Sequence, residues 1–256
     1  TPLYVYDWEH LKDNIDGFTD AFGADTLFRY AAKAFISKAL VKELHEKGWG
    51  IDVVSGGEMA TVQETVGTLE NTVFNGTFKR TDEIEYFIQN NGGHISIDNR
   101  YEIEMLDKAA SSLNKKQPII MRINLDVGAE THPMVLTSGY DQQFGISIGF
   151  AEEALEQIVS SKSLLFSGIH VHVGSQIKDP ERYKLAMSSC SDFMNTHSEK
   201  VEEKAVFNAG GGFFSPYAGD EVDHELSIYS KAIHDGVKEH WSQDYKVMIE
   251  PGRALV

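Results

Sequence analysis

Two glycine-containing segments of the sequence could bind a phosphate group. Three consecutive glycines, at positions 210–212, follow a short apolar run, and the sequence Glu-Pro-Gly-Arg at 250–253 follows another. Bare glycine amides can close around phosphate oxygens, and an arginine can donate two hydrogen bonds to them. For the glycines alone, a tight turn with a helix-packing glycine is the alternative. The residues predicted to hold the phosphate are Gly210, Gly211, Gly212, Arg253 and Ser175.

Lys33 and Glu250 each lie at the end of an apolar run, where they could take part in covalent chemistry. Small apolar neighbours in the sequence Tyr-Ala-Ala-Lys-Ala-Phe would desolvate the Lys33 amine and depress its pKa, which suits a Schiff-base lysine. An ordinary lysine at a helix start is disfavoured, because helix N-termini repel cations. A carboxylate in the position of Glu250 needs a partner. That partner is either the pyridinium nitrogen of pyridoxal phosphate, whose protonated ring is an electron sink, or a neighbouring Arg or Lys.

The sequence His-Val-His-Val places His170 and His172 two residues apart, which predicts that they share one strand face. Such a pair could bind a metal ion. The nearby strand ends, however, offer only Asp52 and Glu250 as further ligands, and cationic side chains lie among them. The alternative is that one histidine stacks on an aromatic ring while the other belongs to the core. We therefore expect no metal site.

These residues fall at the ends of short apolar runs that alternate with longer amphipathic segments. Continuously apolar strands are typical of a parallel sheet that is buried on both faces. Eight such units predict an α/β protein with a closed (β/α)8 TIM-type barrel, and an open doubly wound sheet is the alternative. In such a barrel the chemistry lies at the C-terminal ends of the strands. The predicted strands are 27–32, 51–55, 72–75, 94–98, 118–125, 167–173, 205–209 and 246–250.

The composition restricts the class of partner. The 256 residues carry a formal net charge of −16, which argues against nucleic acid and anionic membranes, because phosphate backbones are bound by clustered Lys and Arg. No apolar run is long enough to span a bilayer. Cys190 is the single cysteine, so no internal disulfide can form and a reducing, cytoplasmic location is expected.

The domain organisation is predicted to be simple. Residues 1–256 are expected to form one barrel domain, in which residues 1–26 are a lead-in strand and helix. Both ends of the sequence look cut, which indicates a piece of a longer protein. Residues 126–150 form a long irregular stretch between predicted strands, and such loops in compact domains are usually functional.

Five segments occur in order and with barrel spacing: YAAKAF, DVVSGGE, HVHVGSQ, GGGF and EPGR. In this combination the chain resembles the alanine-racemase-fold, pyridoxal-phosphate-dependent decarboxylases, and in particular the branch that acts on diaminopimelate. The resemblance implies pyridoxal 5'-phosphate as cofactor, with Lys33 in the Schiff base, His172 stacked on the ring and Glu250 on the pyridine nitrogen. It places Gly252 beside the residues that hold the phosphate. It also implies a supporting polar shell near the ring, formed by Asp52, Glu58 and Arg122.

The implied reaction is the decarboxylation of meso-diaminopimelate to L-lysine and CO2. The resemblance further implies a homodimer and a C-terminal β domain that is absent from this chain. That domain supplies a cysteine and a tyrosine across the dimer. Cys190, in the middle of a predicted helix, is not that cysteine. The stretch TSGYDQQ, at 137–143, departs from the diaminopimelate branch.

Three other functions stay open. One is a related decarboxylase of another basic amino acid, of the ornithine, lysine, arginine or carboxynorspermidine type. Another is a non-catalytic pyridoxal-phosphate carrier, and the third is a metal-dependent hydrolase. A racemase is disfavoured, because it would prefer an arginine to Glu250 at the ring nitrogen.

Overall fold

The computed structural model describes residues 3–125, 144–201, 204–216 and 225–256. The stretch TSGYDQQ and most of the irregular segment predicted before residue 150 lie outside the described residues. The strands within the described ranges are β1 (Leu27–Ala31), β2 (Gly50–Val53), β3 (Thr72–Phe74), β4 (His94–Ile97), β5 (Gln117–Asn124), β6 (Ile146–Ser147), β7 (Leu164–His170), β8 (Ala205–Asn208) and β9 (Tyr245–Ile249).

Eight of these strands close into a parallel barrel. Strands β1 to β5 pair in chain order, β5 pairs with β7, and β7, β8 and β9 continue the sequence until β9 pairs with β1. The short strand β6, which the sequence did not predict, pairs with β5 alone and lies outside the ring. The closed ring confirms the predicted barrel and rules out the open doubly wound sheet. Because all the strands are parallel, their C-terminal ends meet at one mouth.

Helices alternate with the strands, as the amphipathic segments predicted. Two of those in the described ranges begin with a hydroxyl cap, which satisfies a backbone N–H that has no partner within the helix. Ser37 accepts from the Leu40 N–H at 3.2 Å, and Ser55 accepts from the Glu58 N–H at 3.4 Å. The α-helices in the described ranges are α1 (Trp8–Phe22), α2 (Lys38–Glu46), α3 (Gly56–Val66), α4 (Thr81–Gln89), α5 (Tyr101–Ser112), α6 (Ile148–Ser160), α7 (Glu181–Thr196) and α8 (Leu226–His240). No helix in this part of the chain is long and apolar enough to cross a membrane.

The barrel strands bury apolar side chains on both faces. On the outer face they pack against the helices, and fully buried side chains such as Leu40 and Leu44 of α2 contribute about 1.5–3 kcal/mol each. Inside the barrel, a separate small cluster consists of Val73, Ile120, Val206 and Met248. Asn75, Asn208 and Glu250 come two positions after Val73, Val206 and Met248, respectively, and are also buried. The interior therefore changes from apolar to polar towards the mouth.

Two predicted strand positions are wrong. The lead-in strand does not form: residues 3–7 have no regular structure, and Leu3, Tyr4 and Val5 are exposed. A closed barrel leaves no free edge with which such a segment could pair. The predicted lead-in helix is present as α1. Strand β7 ends at His170 rather than at residue 173, because its neighbour β8 ends at Asn208, directly opposite His170.

Candidate active site

A cavity of about 500 Å³ opens at the C-terminal mouth of the barrel. The residues that follow β1, β7, β8 and β9 form its walls, although these four segments are far apart in the sequence. The structure thus brings most of the predicted site residues together around one space. Those that line the cavity are Lys33, His172, Ser175, Gly211, Gly212, Glu250, Gly252 and Arg253.

The three glycines are required by the close approach of neighbouring backbone segments. A Cβ atom at Gly211 would lie 2.2 Å from the carbonyl oxygen of Glu250, and one at Gly212 would lie 2.0 Å from that of Gly174. Gly210 and Gly212 also have φ angles of 69° and 93°, which disfavour side chains. The backbone packing includes a hydrogen bond of 2.7 Å from the Glu250 N–H to the Gly210 carbonyl. Loop packing therefore explains the glycines, and phosphate binding by the same loop stays a prediction.

Glu250 lies directly after β9 and is buried. Its Oε1 accepts hydrogen bonds from Asn75 Nδ2 at 2.8 Å and from Asn208 Nδ2 at 2.6 Å. Its Oε2 lies 3.5 Å from His170 Nε2. Within the described residues, no lysine or arginine forms an ion pair with Glu250, so the salt-bridge alternative is wrong. Neutral donors hold this carboxylate, which leaves its negative charge available to a bound cation.

The two histidines of the H-x-H sequence have different surroundings. His170 ends β7, and burial lowers its pKa well below the ordinary value, so this ring is neutral. His172 lies in the loop beyond the strand and lines the cavity, and burial lowers its pKa to about 3. The predicted shared strand face is therefore wrong, because the strand stops between them. Among the described residues, no group of three or more His, Cys, Asp or Glu side chains is arranged to hold a metal ion.

Asp52 is fully buried in β2, beneath the cavity rather than on its wall. Its Oδ1 accepts from Asn75 Nδ2 at 2.8 Å, and its Oδ2 lies 3.9 Å from Lys33 Nζ. Burial and the neighbouring charge of Glu250 raise the pKa of Asp52 to about 7. This carboxyl group can therefore gain or lose a proton near neutral pH.

Lys33 follows the end of β1 in a turn, and its side chain is 59% exposed. The expectation that small neighbours would desolvate the amine is therefore wrong. The reason is geometric, because Ala31 and Ala32 are buried while the Lys33 side chain and Ala34 line the open cavity. The amine is accessible to a ligand in that cavity.

Glu58 and Arg122 do not line the cavity. Glu58, in the first turn of α3, accepts from the Val54 N–H at 2.6 Å. Burial raises its pKa, while that hydrogen bond and the charge of Lys33 oppose the rise. Arg122, in β5, donates to Asp98 Oδ1 at 3.3 Å and lies over the ring of Phe144. Their predicted role as a supporting polar shell stays a prediction.

Sequence reasoning placed Asn75 at the mouth of the barrel without giving it a role and missed Asn208, although both are buried against Glu250. It also missed a buried ion pair between Lys79 and Glu102, whose charged atoms are 3.0 Å apart. A polar residue at the end of an otherwise apolar strand was the available signal for the two asparagines. The ion pair had no such signal, because its residues belong to a loop and a helix.

Comparison with known proteins gives consistent matches over the whole chain. The family described as pyridoxal-dependent decarboxylase, pyridoxal binding domain, matches residues 9–256. Curated diaminopimelate decarboxylases of Bacillus methanolicus and Bacillus subtilis are each 34% identical over 266 residues, which cover 100% of this chain and 62% and 61% of theirs. The chain therefore spans about three fifths of the length of these relatives.

Solved structures agree with the sequence comparison. Diaminopimelate decarboxylase from M. jannaschii superimposes with a TM-score of 0.90 at 29% identity, over 100% of this chain and 62% of that one. The enzyme from Helicobacter pylori, solved in complex with L-lysine, gives a TM-score of 0.87 at 28% identity, over 100% of this chain and 64% of that one.

Proposed function

Because the chain belongs to the pyridoxal-dependent decarboxylase family, of which it carries the pyridoxal-binding domain, we propose that the full-length protein decarboxylates an amino acid. The proposed substrate is meso-diaminopimelate and the products are L-lysine and CO2. Curated relatives that are 34% identical and named for this activity support the substrate. The observation that carries the proposal is the convergence on one cavity of Lys33, which follows β1, with Glu250 and Arg253, which follow β9.

The cavity has the groups that pyridoxal phosphate requires. Its volume, about 500 Å³, is within the usual range for small-molecule sites. The accessible Lys33 amine suits the aldehyde, and Glu250, with only neutral partners, suits a protonated ring nitrogen. The backbone at Gly211 and Gly212 and the Arg253 side chain suit the phosphate. When bound, the cofactor supplies an electron sink for the electrons of the broken carboxylate bond.

The protein's own groups would then hold or transfer protons and orient the cofactor. Asp52 can hold or return a proton at the Lys33 amine near neutral pH, since its pKa is about 7 and its Oδ2 is 3.9 Å from Nζ. His172 remains uncharged, with a pKa of about 3, and presents a neutral ring to the cavity. Neutral donors hold the Glu250 side chain at the cavity, where a carboxylate favours a cationic ring.

We extend the proposal to a cytoplasmic homodimer. The acid that returns a proton to the product carbon is not Cys190, since this thiol is buried in α7 and burial raises its pKa to about 12. We propose that this acid lies in the region of the full-length protein that corresponds to the part of the relatives not matched by this chain. The groups that bind the distal end of the substrate are proposed to lie in the same region. Family resemblance supports the dimer.

CO2 release from the full-length protein with added pyridoxal phosphate tests the proposal. The substrates compared are meso-diaminopimelate, L- and D-lysine, L- and D-ornithine, and arginine. Strong preference for diaminopimelate is expected. Preference for another amino acid would retain the reaction class and reject the substrate, whereas cofactor binding without any CO2 release would indicate a carrier protein.

Lys33→Ala provides the matching test of the Schiff base. This variant should lose both CO2 release and the visible absorbance of the bound cofactor, because Lys33 is the only lysine among the described residues that line the cavity. Lys38→Ala is the control, since Lys38 pairs with Glu64 on the exposed surface. An unchanged spectrum in Lys33→Ala would reject the assignment.

A further inference from the structure

The side chain of Asn75 bridges two buried carboxylates. Its Nδ2 lies 2.8 Å from both Asp52 Oδ1 and Glu250 Oε1, so each hydrogen of the NH2 group has one acceptor. Its Oδ1 is buried and has no hydrogen-bond partner among the described residues. Exchanging the positions of the amide oxygen and nitrogen would leave the NH2 group without an acceptor and would place Oδ1 against two carboxylates. The orientation of Asn75 is therefore fixed by these two acids.

Asn208 holds the same Glu250 oxygen from another strand and also connects it to the glycine loop. Its Nδ2 donates to Glu250 Oε1 at 2.6 Å, and its Oδ1 accepts from the Gly210 N–H at 2.9 Å. Two amide donors thus occupy Oε1 and prevent rotation of the carboxylate. A substitution at Asn208 would also disturb the glycine loop, and this second effect has to be separated in any test.

The second oxygen of Glu250 is left for another partner. His170 Nε2 lies 3.5 Å from Oε2 and makes no hydrogen bond among the described residues. Ser96 Oγ lies 3.0 Å from His170 Nδ1. A lone pair on Nε2 would face a negative charge, so the favoured tautomer carries its proton on Nε2 and accepts from Ser96 at Nδ1. This contact is longer than an ordinary hydrogen bond, so Oε2 can accept from a further donor, and Glu250 lines the cavity.

We propose that Asn75 and Asn208 are positioning residues: by occupying Oε1 they direct Oε2 of Glu250 towards the ring nitrogen of the cofactor. The inference rests on the proposed function only in taking pyridoxal phosphate as the ligand. It assigns the two asparagines to recognition of the ring nitrogen, as distinct from the phosphate or the aldehyde. Neither asparagine lines the cavity, so each acts through Glu250.

The test compares two cofactors in the full-length protein. One is pyridoxal phosphate, and the other is its deaza analogue, in which a C–H group replaces the ring nitrogen while the aldehyde and phosphate are retained. The ratio of their dissociation constants isolates the ring-nitrogen contact, because changes at the phosphate loop affect both ligands equally. Since a hydrogen bond to a charged group is at stake, the unmodified protein should bind pyridoxal phosphate at least about 10-fold more tightly.

Asn75→Leu and Asn208→Leu, nearly isosteric changes that remove the donors, should each bring this ratio to within about 3-fold of unity. Asn71→Leu is the control and should keep the ratio, because Asn71 precedes β3 at the opposite end of the barrel and its side chain donates to the Gly48 carbonyl. If one variant fails to fold, the other still provides the test.

Two results would overturn the inference. One is a preserved ratio in a folded Asn75→Leu or Asn208→Leu variant, even if both affinities fall together, since that would indicate a purely structural role. Another is equal binding of the two cofactors by the unmodified protein. By contrast, the expected ratios without any CO2 release would support the inference and reject the proposed function alone.

Discussion

The buried ion pair between Lys79 and Glu102 offers a quantitative test of how this barrel mouth is stabilised. The Lys79 side chain is 0% exposed and that of Glu102 is 5% exposed. Lys79 Nζ lies 3.0 and 3.2 Å from the two Glu102 oxygens and donates to the Gly76 carbonyl at 2.7 Å. Burial lowers the pKa of Lys79 and raises that of Glu102, and in each case the partner's charge opposes the shift.

Lys79→Met would leave the Glu102 carboxylate buried without its cation. Removing one partner of such a pair costs about 3–5 kcal/mol, far more than the net value of the intact pair. We therefore expect the free energy of unfolding to decrease by about 3–5 kcal/mol. Neutralising both groups, in Lys79→Met with Glu102→Gln, should recover most of this loss. The introduced glutamine can still accept the Asp98 N–H, which Glu102 accepts at 2.9 Å.

Urea denaturation of the full-length protein without cofactor, followed by circular dichroism, measures these differences. Lys38→Met is the matched control: its pair with Glu64 has a similar distance of 2.9 Å, but both side chains are 64% exposed, so a loss below about 1 kcal/mol is expected. A loss of that size for Lys79→Met would refute the reasoning. So would a double variant that is no more stable than Lys79→Met.

Two further predictions concern the buried acids Glu250 and Asp52. Glu250→Gln keeps an acceptor for the two asparagines but removes the charge, so cofactor should stay bound while kcat for CO2 release falls about 100- to 1000-fold; near-normal turnover would make Glu250 structural. Asp52 has a folded-state pKa of about 7, raised by burial and by Glu250 from its ordinary 3.8, so its contribution to stability is present below pH 3.8 and is lost as pH rises through 7. An asparagine in its place does not titrate, so the stability of Asp52→Asn relative to the unmodified protein should increase by about 2–3 kcal/mol between about pH 5 and pH 8 in urea denaturation without cofactor. A difference that does not vary with pH would contradict this account.

The sequence alone determined the barrel and the position of its mouth. Strand and helix periodicity are local properties, so eight alternating units could be read directly from the chain. Once the strands are parallel, every residue at a strand's C-terminal end must face the same mouth. This geometric rule is why Lys33, the glycines 210–212 and Glu250 could be grouped before their positions were known, and the structure places most of that group around one cavity.

Only the tertiary structure decided what holds these residues and how exposed they are. Asn75 and Glu250 are 175 residues apart in the chain, and no local pattern indicates that one amide joins this acid to Asp52. The exposure of Lys33 depends on the direction in which its turn points the side chain. The small neighbouring residues therefore did not predict whether the amine is exposed. Likewise, β7 ends where its partner β8 ends. Each of these features arises from contacts between segments distant in sequence, and such contacts form only when the barrel closes.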